Sequence, residues 1–142
     1  MKNSREILSG ILKTTQTGQI GIRSVLDISM RPGLRSALES QLREYSRIES
    51  EAHAIASQRG WELKEIEPAA RFWMDVTTRL RLPRGNCDSK IADMVIQDNT
   101  RGMIRSLKAI HQFPGQDQKI STISQKLLDC ETANIRQMQS FL

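Results

Sequence analysis

The sequence predicts an all-α protein: four long helices in two antiparallel hairpins, joined by a long crossover that carries a short extra helix. Three observations lead there. Apolar residues recur every three to four positions over stretches too long for strands. The 8 glycines and 4 prolines among 142 residues mark the breaks between those stretches. Connections are short within each pair of helices and long between the pairs, the loop pattern of a bundle with one crossover. The length suits a single domain, residues 1–142, with one core.

The first helix is expected from Ser4 to about Ile28. Ile7, Leu8, Ile11, Leu12, Thr15, Gln19, Ile22, Val25 and Leu26 form its stripe. Gly18 and Gly21 flank Gln19, although a glycine inside a helix costs about 1 kcal/mol against alanine. Such small residues suit the close approach of a neighbouring helix, or room for a ligand or a water. Met30-Arg31-Pro32-Gly33 is a turn, and Pro32 is suited to open the second helix. That helix runs to about Arg59, with Leu34, Leu38, Leu42, Tyr45, Ile48, Ala52, Ile55 and Ala56 inward, and Gly60 ends it. Trp61 to Glu67 is a connection. Pro68 opens a short third helix to about Leu82, with Phe72, Trp73, Val76 and Leu80 on its apolar side. It caps the bundle or offers a dimer surface, since grouped aromatics are enriched at interfaces. Pro83-Arg84-Gly85-Asn86 breaks the chain again, and Asn86 is a good N-cap. The fourth helix reaches about Gln112, with Ile91 or Ala92, Val95, Asn99, Met103, Leu107 and Ile110 inward. After Phe113-Pro114-Gly115 the last helix spans about Gln116 to Phe141. It turns Ile120, Ile123, Leu127, Cys130, Asn134, Met138 and Phe141 inward.

Polar residues interrupt these stripes. Gln19 and Asn99 take mid-stripe places in the first and fourth helices. Glu49 borders the second stripe, one turn before His53, so the two can meet on one side of the helix. Glu131 borders the last stripe, near Asn134. One reading is a hydrogen-bonded layer of Gln19, Glu49, Asn99, Glu131 and Asn134. Amides supply the donors and acceptors that satisfy two carboxylates, and a satisfied network fixes helix register. The other reading is a metal site on Glu49, His53 and Glu131. The halves of the chain also look alike. Ile22-Arg23-Ser24-Val25 matches Ile104-Arg105-Ser106-Leu107, and the same offset sets Tyr45 on Leu127, Ile48 on Cys130 and Glu49 on Glu131.

Ala54-Ile55-Ala56-Ser57-Gln58-Arg59-Gly60-Trp61, followed by Pro68-Ala69-Ala70-Arg71-Phe72-Trp73, is similar to bacterial ferritin-like domains of unknown function associated with stress. The run of helix, Arg-Gly-Trp, connection and alanine-rich helix also resembles the coat F family of spore coat proteins. Both resemblances imply a ferritin-like four-helix bundle. Di-iron members of that fold supply one glutamate from each of two helices and Glu-x-x-His from each of the other two. Here Glu49 and Glu131 match the glutamates. Ala52 and Asn134 stand where histidines are needed. Gln19 and Asn99, or Gln16 and Asp98 in a register shifted by one, stand where the other glutamates are needed. His53 is four residues after Glu49 and reaches a metal only with a helix adjustment.

Composition narrows the function. The net charge is +5, but the basic residues are dispersed among acids apart from Arg79, Arg81 and Arg84, and aromatics are 4% of the chain. No nucleic-acid partner is expected, since such a footprint is a patch or stripe with stacking groups. No long apolar run suggests a membrane partner. Cys87 and Cys130 lack metal or redox spacing, which points to a reducing, cytoplasmic setting, or to the spore coat under the second resemblance. His111, near a helix end, suits the dipole rather than a ligand role. No nucleophile stands beside a base. The expectation is a non-enzymatic, self-associating bundle, a homo-oligomer beginning with a dimer through Phe72, Trp73 and Val76, with no cofactor. The alternative is a degenerate protein binding iron or another divalent metal through Glu49, His53 and Glu131.

Overall fold

The computed structural model describes residues 2–28, 30–82, 88–113, 115 and 117–142, and every regular element among them is a helix. α1 spans Ser4–Leu26, α2 Pro32–Gln58, α3 Pro68–Arg81, α4 Asp88–Gln112 and α5 Gln118–Gln139. α1 and α5 are therefore slightly shorter than their periodicity suggests. The Pro83–Asn86 break with its Asn86 cap, Cys87 and Pro114 lie outside the described residues.

Local chemistry sets the ends. Asn3 caps α1: its side chain accepts from the Glu6 amide, and the Glu6 carboxylate accepts from the Asn3 amide, both at 2.9 Å. Pro32 and Pro68 occupy first turns, where a missing N–H costs nothing. Gly60 adopts φ +67° after α2. The Trp61 amide then donates back to the Ala56 carbonyl at 2.9 Å and closes the helix end.

α1 packs on α2, α4 on α5, α2 on α5 and α1 on α4. Pairs across helices give the directions. The Lys2 amide at the start of α1 meets the Gln112 carbonyl at the end of α4, at 3.1 Å. Arg59 after α2 pairs with Asp117 before α5. Further along, Lys126 reaches Glu51 at 2.7 Å and Gln41 reaches Gln137 at 3.0 Å. α1 therefore runs against α4, and α2 against α5.

The crossover climbs along α1 rather than capping an end. Arg5 donates to the Glu62 carbonyl at 2.8 Å, the Ile66 amide to Gln16 Oε1 at 3.1 Å, Ser24 to Asp75, and Arg79 to Asp27 at 2.8 Å. This lacing explains why α1 buries Gln16 and Ser24 besides its apolar stripe.

The core is aliphatic around Leu8, Leu12, Leu34, Leu38, Ile91, Ile120 and Leu127, with Tyr45 the largest fully buried side chain. One stripe departs from expectation. In the second half of α4 the buried positions are Gly102 and Ser106, while Leu107 is exposed. Gly102 contributes no side chain, and the Glu131 carboxylate fills that space from α5. A glycine leaves no hydrophobic signature, so the periodicity picks its neighbour Met103 instead.

Candidate functional site

The centre of the molecule is a polar cluster built on a tyrosine. Tyr45 sits mid-α2, between Leu38 and Ala52 on the inward stripe, and is 1% exposed. Its ring lies against Gly18 of α1, where a Cβ would come within 2.6 Å of ring carbon Cε2. Its hydroxyl lies 2.9 Å from Asn99 Oδ1 on α4 and 2.8 Å from Glu131 Oε2 on α5. Glu131 is itself 1% exposed, and its carboxylate stands over Gly102. Glycines on α1 and α4 therefore make room for a phenol and a carboxyl that meet between four helices.

Electrostatics follow from the burial. Loss of water pushes the Glu131 carboxyl up to about 7; the Tyr45 hydrogen bond and the Arg105 charge pull it back, and Asp98 adds to the rise. The Tyr45 phenol is raised well above its ordinary value by burial first, then by the Glu131 charge and hydrogen bond. Burial, with the charges of Glu131 and Glu44 behind it, pushes the Cys130 thiol up to about 12. A thiol so held is a poor nucleophile, because the thiolate is the reactive form.

The six polar residues read from the sequence do not all meet. Asn99 and Glu131 are joined through Tyr45. Asn134 is buried beside them and donates to Cys130 Sγ at 3.6 Å. Gln19 is buried, but its carbonyl accepts from Arg23 on its own helix at 3.3 Å. Glu49 is only half-buried and, among the described residues, makes no hydrogen bond to the cluster. His53 is exposed and pairs with Glu65 of the crossover at 3.2 Å. The register of α2 turns Tyr45, Ile48 and Ala52 inward and leaves Glu49 and His53 on its flank. The layer containing Gln19 and Glu49 is thus corrected to a smaller cluster with Tyr45 as its hub.

The same placement bears on a metal. A shared ion needs its ligands about 2 Å from one centre. Glu131 is enclosed and bound to Tyr45, whereas His53 is outside and bound to Glu65. Among the described residues, no three of histidine, cysteine, aspartate and glutamate stand close enough to hold an ion. Glu49, His53 and Glu131 therefore do not fit the iron set that the ferritin-like resemblance implies. His111 is exposed in the last turn of α4.

Two features escape the stripe pattern. It places Tyr45 with the apolar residues, although a buried tyrosine hydroxyl normally needs a partner. That rule, with a lone tyrosine on a core stripe, was the available signal. Gln41, 1% exposed and bonded to Gln137, is a second polar tie between α2 and α5.

α3 turns polar groups toward α1 and large apolar groups outward. Thr78 and Asp75 face α1, while Phe72 and Trp73 are 63% and 65% exposed and pack edge to face at 6.0 Å. Leu80 is 81% exposed, and Val76 is half-buried. No helix among the described residues is long and apolar enough to cross a membrane. Comparison with protein-family models, with curated proteins and with solved structures finds no match to this chain.

Proposed function

We propose that this chain is a ferritin-like four-helix bundle without enzymatic activity, and that it works by associating with further copies of itself through α3. The bundle reading is supported by the two antiparallel hairpins and the crossover that travels the length of α1. The observation that carries the association is the outward face of α3, where Phe72, Trp73 and Leu80 stand in solvent. α3 spends its polar groups on α1, through Asp75 to Ser24 and Arg79 to Asp27, and keeps its large apolar groups free. Grouped aromatic side chains in solvent on a folded protein mark an association face.

The test is mass determination by light scattering across a concentration series. The intact protein is expected to form a defined oligomer, with a dimer as its smallest form. Phe72→Glu with Trp73→Glu is expected to give a monomer of unchanged helical content, because neither side chain belongs to the core. An intact protein that stays monomeric at high concentration would refute the proposal.

A further inference from the structure

The Tyr45 hydroxyl has one hydrogen and two oxygen neighbours, Asn99 Oδ1 at 2.9 Å and Glu131 Oε2 at 2.8 Å, with the Asn134 side chain of α5 as a further hydrogen-bonding neighbour. Neither oxygen brings a hydrogen of its own if Glu131 is ionised and the amide oxygen faces the phenol. One contact would then be oxygen against oxygen. The Asn99 amide nitrogen, meanwhile, is buried without a hydrogen-bond partner, on a residue 3% exposed. A buried donor left unmade costs its full desolvation. Both difficulties have the same two solutions.

In the first, Glu131 is a neutral acid. It donates to the Tyr45 oxygen, Tyr45 donates to Asn99 Oδ1, and the Asn99 nitrogen is left without a protein partner on a residue that lines a cavity. That cavity has a volume of about 30 Å³ and is lined by Thr14, Gly18, Gly21, Asn99, Arg105 and Glu131, among others. A water needs about 10–15 Å³ and polar partners, so this space admits one that accepts from the amide. In the second solution Glu131 is ionised. Tyr45 donates to it, and the Asn99 amide turns over so that its nitrogen donates to the Tyr45 oxygen.

We propose that Glu131, Tyr45 and Asn99 form a buried proton-binding site, in which a hydrogen ion held at the α2–α5 contact is released to water as the Asn99 amide turns over. The balance is one proton: it leaves the Glu131 hydroxyl, passes to water at the cavity, and no other bond changes order. The groups that face the site are few. α2 supplies Tyr45. α4 supplies Asp98, which disfavours ionisation, and Arg105, which favours it. α5 adds the buried Asn134 amide, which hydrogen-bonds Tyr45 and opposes the rise of its phenol, and the neutral Cys130 thiol beside Glu131, with Glu44 of α2 beyond it. The α1 wall of the cavity, Thr14, Thr17, Gly18, Gly21 and Ile22, has no ionisable side chain. A carboxyl that titrates near 7 makes both states reachable in neutral solution. The site would then set the hydrogen bonds that tie α2, α4 and α5 together according to pH.

The experiment follows the Glu131 carboxyl carbon and the Asn99 side-chain amide by NMR from pH 4 to 9, in the intact protein and in Tyr45→Phe. Both signals are expected to move with one midpoint near neutrality. In Tyr45→Phe the carboxyl midpoint is expected to rise, because the bond that favours its ionised form is gone. Unfolding of the intact protein and of Glu131→Gln, which mimics the neutral acid, supplies a second readout. Between pH 5 and 7 the ratio of their unfolding constants is expected to change about tenfold per pH unit. A Glu131 midpoint in the ordinary carboxylate range, an Asn99 amide indifferent to it, a midpoint unmoved in Tyr45→Phe, or a flat ratio would each overturn the proposal.

Discussion

At the scale of single residues, two glycines decide where polar chemistry can stand. Gly18 and Gly102 lie in helix interiors, where glycine is unfavourable by about 1 kcal/mol, and each is matched by a side chain that needs its space. A Cβ at Gly18 would lie 2.6 Å and 2.7 Å from Cε2 and Cζ of Tyr45. The ring is rigid and its hydroxyl is committed on both sides, so it has little freedom to yield. Gly18→Ala is therefore expected to destabilise the fold by about 1–3 kcal/mol, the usual range for overpacking. Gly10 is the internal control. It lies in the same helix, and nothing stands within 4 Å of an added Cβ. Gly10→Ala is expected to stabilise by up to about 1 kcal/mol through helix propensity and loss of unfolded-state freedom. Urea unfolding of the two variants checks both signs. The sequence makes the small residues visible and suggests close approach, but it does not say that the approaching group is a phenol from the next helix.

At the scale of elements, α3 is the piece with the least apolar anchorage. Thr78 is its one buried residue, so the helix is held to α1 chiefly through Asp75 and Arg79. Asp75 accepts from Ser24 and pairs with Arg79, and both interactions hold its carboxyl below the usual range, the serine bond first. Segments with few buried contacts open locally before the whole fold does. Asp75→Ala is expected to speed amide exchange over residues 68–81 several-fold and to leave α1, α2, α4 and α5 protected. Uniform acceleration across the chain would instead mean that α3 is part of the global cooperative unit. The apolar spacing of this segment predicts a helix, and one forms. It does not predict which face turns outward, because Phe72, Trp73 and Leu80 satisfy an inward pattern equally well. The side facing α1 is set by Asp75, which accepts from Ser24, and by Thr78, whose hydroxyl is satisfied by the Met74 carbonyl of its own helix and can therefore be buried.

At the scale of the whole molecule, two carboxyls of opposite behaviour shape stability against pH. Asp117 is lowered from 3.8 to about 2, mainly by the Arg59 hydrogen bond and partly by Ser4. Its contribution is present above 3.8 and is lost as pH falls through about 2. Glu131 is raised from 4.5 to about 7. The folded state holds its proton more tightly than the unfolded chain does, so that contribution is complete below 4.5 and is lost as pH rises through about 7. For these two groups together stability peaks between 3.8 and 4.5. Thermal midpoints from pH 2 to 8 are expected to show this. Asp117→Asn should flatten the acid side alone, and Glu131→Gln should flatten the neutral side alone. A single variant that changed both sides would show that the start of α5 and the central cluster are coupled.

What the sequence determined by itself is the helical architecture, because periodicity, caps and breaks act within a few residues. The Asn3–Glu6 box, Pro32, Pro68 and Gly60 set helix ends without help from distant chain. The burial of Leu8, Leu12, Leu34, Leu38, Ile120 and Leu127 follows from the same stripes. What only the tertiary structure decided is which polar groups share a centre. Gln19, Glu49, Asn99, Glu131 and Asn134 are alike as polar interruptions of a stripe, yet a rotation of some tens of degrees about a helix axis separates a buried carboxyl from a flanking one. That rotation is fixed by how whole helices seat against each other. Here it is fixed by Gly18 receiving the Tyr45 ring and Gly102 receiving Glu131, contacts between residues 27 and 29 positions apart, beyond the reach of any local pattern.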